Sequence, residues 1–266
     1  MAKSDPASTA VADAKKRAQA QIRAQQRRTL VIWVVLGVIL VGLFAALVAY
    51  IVRQNNVTDV ASGDQLTPAA ASDNGGFAVS TSGVVNDGLD ASHTRLDVYY
   101  DFMCPICGYF EMSQGPTLDE LRKDGKVDVY YHPISILDGA SEGTAYSTRA
   151  ASAATLVAEE APDKFLTFST ALFVNQPEEN SKGLTDAEIQ DIASKAGVPA
   201  DVVAKIPDHA YTSWVRSATE KASVAGVNGT PTLAINGVMQ NPQANADDVD
   251  WSKDGALSAA ILAAEN

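Results

Sequence analysis

A long apolar run near the N-terminus is the most distinct hydropathy pattern in the chain. Residues 30–52 read LVIWVVLGVILVGLFAALVAYIV, 23 residues without a charged side chain. A helix of about 20 such residues crosses a hydrocarbon core of about 30 Å, whereas the apolar part of a cleaved signal peptide has only about 7–15. The run therefore predicts one uncleaved anchor held in the lipid bilayer through residues 30–52, with a buried core helix as the alternative.

Beyond residue 76 the apolar positions predict a mixed α/β domain. Apolar and β-branched residues alternate over short stretches there, as they do in half-buried strands. The predicted strands are an edge strand at 77–82, longer strands at 95–103 and 127–134, and a hairpin that begins at Thr232 and turns at Asn236-Gly237.

Helical spacing of apolar residues fills the rest of this domain. The helix after the second strand contains Gly115-Pro116, so we expect it to kink and to restart at Pro116. Several helices are predicted at about 138–226, one of them opened by a Thr185/Glu188 capping box, and a last helix near the C-terminus. The order predicts a small mixed central sheet flanked by helices, with a helical insertion at about 138–226.

Charge is distributed unevenly about the apolar run. Residues 1–29 carry seven Lys or Arg and two Asp, whereas only Arg53 follows the run directly. Basic residues flank the cytoplasmic end of a span, so residues 1–29 are predicted to be a cytoplasmic segment and the chain after residue 52 to lie outside the cell membrane. Residues 54–266 carry 12 Lys or Arg and 30 Asp or Glu, a net charge of −18, which argues against a nucleic-acid partner.

The stretch between the apolar run and the α/β domain has a different composition. Residues 53–76 are rich in Ala, Ser, Asp, Asn and Gly. Such a stretch buries too little apolar surface to order itself, so it predicts a flexible extracytoplasmic linker. Residues 77–266 are then long enough for one domain with a well-developed core.

The two cysteines of the chain lie together in DFMCPICGYF, residues 101–110. Outside the membrane such a pair can oxidise. Cys104 comes where a strand ends and a helix begins, with Pro105 in the first turn, so free backbone N–H groups and the helix dipole stabilise a thiolate there. Cys107, one turn further on, is then the more shielded, resolving thiol. The pattern predicts a redox-active pair.

Two other uses of the pair stay open. A structural disulfide would close a loop with only two intervening residues and so stabilise little. A non-catalytic metal carrier would need a further ligand, for which His132 and His209 are candidates because thiolate and imidazole suit zinc and copper. A lone Cys-x-x-Cys lacks the second pair that is typical of a structural zinc site, so no resident metal or other cofactor is predicted.

The strand, the Cys-Pro-x-Cys pair and the later segment GTPTLAING together resemble the DsbA-like thiol–disulfide oxidoreductases of the thioredoxin superfamily. The resemblance covers about residues 77–266. It implies a thioredoxin-like core with a helical insertion, Cys104 and Cys107 as the catalytic residues, and a cis peptide bond between Thr230 and Pro231. The Thr230 backbone would then pair with an extended substrate segment, as in strand addition.

The residues around the cysteines depart from this family in two places. The strongest oxidants of the family have a histidine at the position of Ile106, so a weaker oxidant is implied. Many thioredoxin-like proteins bury an acid at the position of Val98. Asp101 is the nearest acidic candidate for a proton relay here, although a solvated capping carboxylate is the commoner role. The residues expected to form an apolar rim for unfolded chains are Phe102, Met103, Ile106 and Tyr109, with ordinary core packing as an equal alternative for Phe102 and Tyr109.

The resulting hypothesis is a membrane-tethered dithiol oxidase that forms disulfides in secreted proteins with free thiols. The resemblance implies a membrane partner that reoxidises it, similar to the DsbB or vitamin K epoxide reductase types. The alternatives are a thioredoxin-like thiol reductase for cytochrome or metal-site assembly and the non-catalytic Cys/His metal carrier.

Overall fold

The computed structural model describes residues 66–265 together with Gly42. The anchor predicted at residues 30–52 therefore lies outside the described residues apart from that one glycine, as do the basic segment 1–29 and the first part of the linker. Within the part of the chain that is described, no helix is both long and apolar enough to cross a membrane.

A five-stranded mixed sheet is the centre of the domain. The strands are β1 (Phe77–Val79), β2 (Thr94–Tyr100), β3 (Val127–Pro133), β4 (Thr232–Ile235) and β5 (Val238–Gln240), in the spatial order β1-β3-β2-β4-β5. β2 and β3 are parallel, and the other pairings are antiparallel. The predicted edge strand is confirmed, and the Asn236-Gly237 turn has the two positive φ angles, 48° and 81°, that a type I′ hairpin requires.

Seven α-helices cover the sheet within residues 66–265. They are α1 (Pro105–Lys123), α2 (Tyr146–Glu160), α3 (Phe165–Val174), α4 (Asp186–Lys195), α5 (Ala200–Val203), α6 (Thr212–Val224) and α7 (Ala256–Ala263). Helices α2 to α6 lie between β3 and β4 in the chain, where the sequence predicts the helical insertion. The Thr185/Glu188 capping box opens α4 as predicted. The short helix α5 was not predicted.

The prediction that α1 restarts at Pro116 is wrong, because one helix runs from Pro105 to Lys123. Phe110 before the proline and Leu118 after it are both buried against the core, so packing holds the two halves together. Pro116 itself lies on the exposed side. Tertiary packing thus outweighs the local cost of the proline ring.

The last residues of the predicted linker make contacts with the domain. Residues 66–76 are part of the described structure: the Ala70 N–H donates to Glu159 Oε2 (2.8 Å), and Asn86 Nδ2 donates to the Ala70 carbonyl (2.7 Å). Asn74 donates to Asp97 on β2 (3.1 Å), and Gly76 is buried against the His132 ring. These long-range contacts, which composition does not reveal, hold the segment against the domain.

Candidate active site

The cysteine pair lies where β2 passes into α1. The strand ends at Tyr100, three residues earlier than the alternating pattern predicts, because residues 101–103 form a turn. In that turn the Cys104 N–H donates to the Asp101 carbonyl (3.0 Å). Cys104 is the N-cap of α1, and its own carbonyl accepts the N–H groups of Cys107 (3.0 Å) and Gly108 (3.2 Å). Pro105 occupies the first helical turn as predicted.

The two thiols have different environments. Both are free, and Cys104 is 6% exposed whereas Cys107 is 1% exposed. Hydrogen bonding from Cys107, from Thr230 and from backbone N–H groups outweighs burial and lowers the pKa of Cys104 to about 6. Burial raises the pKa of Cys107 well above its ordinary value. Cys104 is therefore the thiolate near neutral pH and Cys107 the protonated partner.

The loop before β4 brings Thr230 and Pro231 against the sulfurs. The Thr230–Pro231 peptide bond is cis, which confirms the expectation drawn from the resemblance. The Cys104 Sγ lies 3.3 Å from the Thr230 carbonyl oxygen. The Thr230 hydroxyl is buried without a hydrogen-bond partner among the described residues, yet it lowers the pKa of both cysteines. It is thus placed to donate to a thiolate.

A groove of about 600 Å³ is lined by Ile106, which lies between the two cysteines in the chain, and by Thr230 and Pro231. Ile106 and Tyr109 lie on its wall and are 57% and 62% exposed, as the predicted apolar rim requires. The rim prediction is wrong for Phe102 and Met103, which are both fully buried. The turn that ends β2 early directs them into the core, where Phe102 packs on Phe173 of α3 at 5.0 Å between ring centroids. The other lining residues include Thr230, Pro231, Gln240, Asp250 and Trp251.

Asp101 is not the solvated carboxylate that its position suggests. It is fully buried, and its two oxygens accept the N–H groups of Met103 and Leu137, each at 2.9 Å. Burial outweighs these hydrogen bonds and raises the pKa of Asp101 to about 6. The carboxylate therefore fixes the turn before Cys104 and ties it to the chain that follows β3.

Gln176 is a site residue that sequence reasoning missed. It follows α3, and its Nε2 donates to the carbonyls of both Phe102 and Cys104 at 2.9 Å each. A Cβ placed on Gly108 would lie 2.6 Å from the Gln176 Oε1, so the glycine after the second cysteine makes room for this side chain. The glycine next to the pair was the available signal in the sequence. It does not point to Gln176, which lies 72 residues from Cys104.

The structure does not bring either candidate histidine to the cysteines. His132 Nε2 contacts Asp97 Oδ1 at 2.8 Å and its ring stacks on Tyr99, while His209 Nε2 contacts Asp186 Oδ2 at 3.0 Å. Residues 66–265 contain no group of three His, Cys, Asp or Glu side chains that could hold a metal ion. The carrier hypothesis therefore lacks its third ligand in this part of the chain.

Residues 84–251 match the family model described as Thioredoxin. The chain belongs to the thioredoxin family. Within that family it is DsbA-like: it is 33% identical to a disulfide bond oxidoreductase (DsbG) from Mycobacterium tuberculosis, with a TM-score of 0.59 over 72% of this chain and 88% of that one. It is 31% identical to DsbA of the same organism, with a TM-score of 0.52 over 72% of this chain and 100% of that one.

One relative of this DsbA-like chain is much longer than the region that the two proteins share. The serine/threonine-protein kinase PknE of Mycobacterium tuberculosis is 31% identical over 180 residues, which are 63% of this chain and 31% of the kinase. This chain thus spans about a third of the length of that relative.

The two departures from the family pattern are visible in the DsbA-like fold. Val98, at the position of the family's buried acid, is 1% exposed and belongs to the core. Ile106, at the position of the histidine, projects into the groove and carries no charge. The low pKa of Cys104 therefore comes from hydrogen bonds rather than from a neighbouring cation.

Proposed function

We propose that this DsbA-like protein is a membrane-tethered extracytoplasmic oxidase of cysteine pairs in secreted proteins. The observation that carries the proposal is the contrast within the pair: the pKa of Cys104 is lowered to about 6, while burial raises the pKa of Cys107. A stabilised Cys104 thiolate favours the reduced pair, and a pair that is stable when reduced takes electrons from other thiols.

The proposed cycle begins with the oxidised Cys104–Cys107 disulfide. A substrate thiolate attacks the Cys104 Sγ, the Sγ–Sγ bond breaks, and Cys107 leaves with the electron pair and takes up a proton. The second substrate thiolate then attacks the substrate sulfur of this mixed disulfide and releases Cys104 as a thiolate. The substrate loses two electrons and gains a disulfide, and the protein pair gains the two electrons.

Two geometric features support attack at Cys104 rather than Cys107. Cys104 is the more exposed cysteine, and its contact Thr230 lines the groove that carries Ile106 and Tyr109. The cis Pro231 removes a backbone N–H next to the sulfur, while Thr230 offers its carbonyl to an extended segment of an unfolded substrate.

The proposed location follows from the sequence outside the described residues. The apolar run 30–52 and the basic residues before it favour a single span, with the N-terminus in the cytoplasm and the catalytic domain outside. An oxidase there needs an electron acceptor after each turnover. We infer a membrane partner for that step, of the DsbB or vitamin K epoxide reductase type.

The test is stoichiometric oxidation of a reduced, unfolded protein that forms a disulfide in its native state. The oxidised full chain should consume two substrate thiols per molecule. Cys104→Ser should abolish the reaction. For the trap, the remaining cysteine of each single variant is first converted to its mixed disulfide with glutathione; a substrate thiolate should then displace glutathione from Cys104 in Cys107→Ser and leave the substrate bound there as a mixed disulfide. If Cys104→Ser traps the substrate and Cys107→Ser does not, the assignment of the attacked sulfur is reversed. If neither trap forms and the oxidised chain consumes no substrate thiols, the proposed oxidase function is refuted.

A further inference from the structure

The groove that Ile106, Thr230 and Pro231 line has one acidic side chain and no basic one. Asp250 is the only Asp or Glu among the described residues that line it, and no lysine, arginine or histidine is among them. The other polar side chains of the lining include the amides of Asn228, Gln240, Asn241 and Gln243. A substrate segment that occupies this groove therefore meets a single negative charge in a neutral polar lining.

The wall that carries Asp250 is fixed on both sides of that residue. Before it, the Val249 N–H donates to Gln240 Oε1 on β5 (3.1 Å). After it, the Trp251 ring packs edge-on against Phe110 of α1, with 5.1 Å between the ring centroids. The backbone thus holds the Asp250 carboxylate at the groove before any substrate binds, which lowers the entropic cost of a contact with it.

The Asp250 carboxylate is charged and only weakly neutralised. Its Oδ1 accepts the hydroxyl (2.6 Å) and the N–H (3.2 Å) of Ser252, and these hydrogen bonds hold the pKa of Asp250 below its ordinary value. Its Oδ2 lies 3.4 Å from Lys253 Nζ, but the Lys253 side chain is 74% exposed. An ion pair in water contributes little, so Oδ2 can exchange Lys253 for a cation on a substrate.

Two aromatic rings line the same groove as this carboxylate. Trp251 follows Asp250 directly, and its ring centroid lies 6.1 Å from that of the exposed Tyr109 ring on α1. The face of either ring attracts a cation. A guanidinium can stack on such a ring and also form paired hydrogen bonds with a carboxylate, whereas an ammonium acts as a point charge. The groove therefore suits arginine best, then lysine, and suits an acidic side chain least.

We propose that this groove selects substrate segments with an arginine or lysine within a few residues of the reacting cysteine, and that Asp250, Tyr109 and Trp251 determine this specificity. The inference rests on the thiol–disulfide exchange proposed above and names the substrate class of that site. A basic residue also lowers the pKa of a neighbouring substrate thiol, so the selected cysteines are those that ionise readily near neutral pH.

The test compares the rates at which short single-cysteine peptides reduce the oxidised full chain. The peptides differ at one position, which carries arginine, norleucine or glutamate and is moved through the residues on both sides of the cysteine. Reactions are quenched with acid at a series of times, and loss of the Cys104–Cys107 disulfide is read by mass spectrometry. Each rate constant is divided by that of the same peptide with hydroxyethyl disulfide, an uncharged reference that corrects for the intrinsic reactivity of the thiol.

At the most favourable position the corrected rate constant should be about two- to fivefold higher for arginine than for norleucine, and lowest for glutamate. Asp250→Asn keeps an acceptor for Ser252 and should lower the arginine-to-glutamate ratio by about two- to fivefold. Tyr109→Leu should lower the preference for arginine over norleucine and leave the glutamate-to-norleucine ratio unchanged. Added salt should weaken the discrimination by the wild type, because the charges are exposed.

Asp254→Asn is the matched control, because Asp254 is an exposed aspartate close by in the chain that does not line the groove. It should discriminate like the wild type. If Asp250 only supports the turn at Ser252, Asp250→Asn will slow all three peptides equally and keep their ratios, and this would overturn the proposal. Equal corrected rates with the wild type, or the same loss of discrimination in Asp254→Asn, would also overturn it while leaving the exchange chemistry intact. A wild-type disulfide that no peptide reduces would instead refute the proposed function.

Discussion

The substitution Thr230→Val tests what makes Cys104 acidic. Valine has nearly the shape of threonine but lacks the hydroxyl, which lowers the pKa of Cys104 and has no hydrogen-bond partner among the described residues. A hydrogen bond to a charged group contributes about 1.5–3 kcal/mol, and about 1.4 kcal/mol corresponds to one pKa unit. The pKa of Cys104 should therefore rise from about 6 to about 7–8.

The same substitution should make the pair a weaker oxidant. Near pH 7, ionisation with a pKa of about 6 stabilises the reduced pair by about 1.4 kcal/mol, and a pKa of about 7–8 leaves less than about 0.5 kcal/mol of that. For a two-electron couple about 1.4 kcal/mol corresponds to about 30 mV. The reduction potential of Thr230→Val should therefore fall by about 20–30 mV.

The assay is the ultraviolet absorbance of the thiolate, recorded as the reduced protein is titrated with base. Thr232→Val is the matched control, because the Thr232 hydroxyl donates to the Gly229 carbonyl (2.7 Å) and is not among the groups that lower the pKa of Cys104. A Thr230→Val protein that titrates like the wild type would refute the reasoning, since the low pKa would then come from the other groups around the sulfur.

Three further predictions concern the residues that hold the active-site turn. Gln176→Ala should lower the free energy of unfolding by about 1–3 kcal/mol in urea titrations, because two hydrogen bonds to the active-site turn are lost; an unchanged midpoint would contradict this. Gly108→Ala should lower the free energy of unfolding by about 1–3 kcal/mol, because the new methyl group overlaps with Gln176. The loss should be clearly smaller in the Gln176→Ala background, and additive losses in a double-mutant cycle would refute the overlap. The folded-state pKa of Asp101 is about 6 and lies above the ordinary value of 3.8. The contribution of Asp101 to the free energy of unfolding is therefore complete below about pH 4 and falls by about 3 kcal/mol as the pH rises through about 6. Asp101→Asn should remove this pH dependence, and an unchanged pH dependence in the variant would assign it to other groups.

Much of the fold is predictable because its signals are local. The Asn236-Gly237 turn and the Thr185/Glu188 capping box act over two to four residues, and the structure confirms both. The Cys-Pro-x-Cys pair at a strand–helix junction is equally local, and its resemblance to a known family adds the cis bond before Pro231.

The errors arise where distant residues decide the outcome. Pro116 stays within one helix because Phe110 before it and Leu118 after it are both buried in the core, and Met103 turns inward because Asp101 closes a turn before the first cysteine. Gln176 joins the site only through the segment after α3. Its contacts with the active-site turn span 72 and 74 residues, which no periodicity or short motif in one sequence reports.

The central claim is that the pair accepts electrons from other thiols, and its reduction potential tests this most directly. The full chain is equilibrated with mixtures of reduced and oxidised glutathione, and the oxidised fraction of Cys104–Cys107 is read after acid quenching. The stabilised Cys104 thiolate predicts a potential well above about −270 mV, toward the roughly −120 mV of a strong oxidant. A value near or below about −270 mV would contradict the account and favour a thiol reductase of the kind that supplies electrons for cytochrome or metal-site assembly.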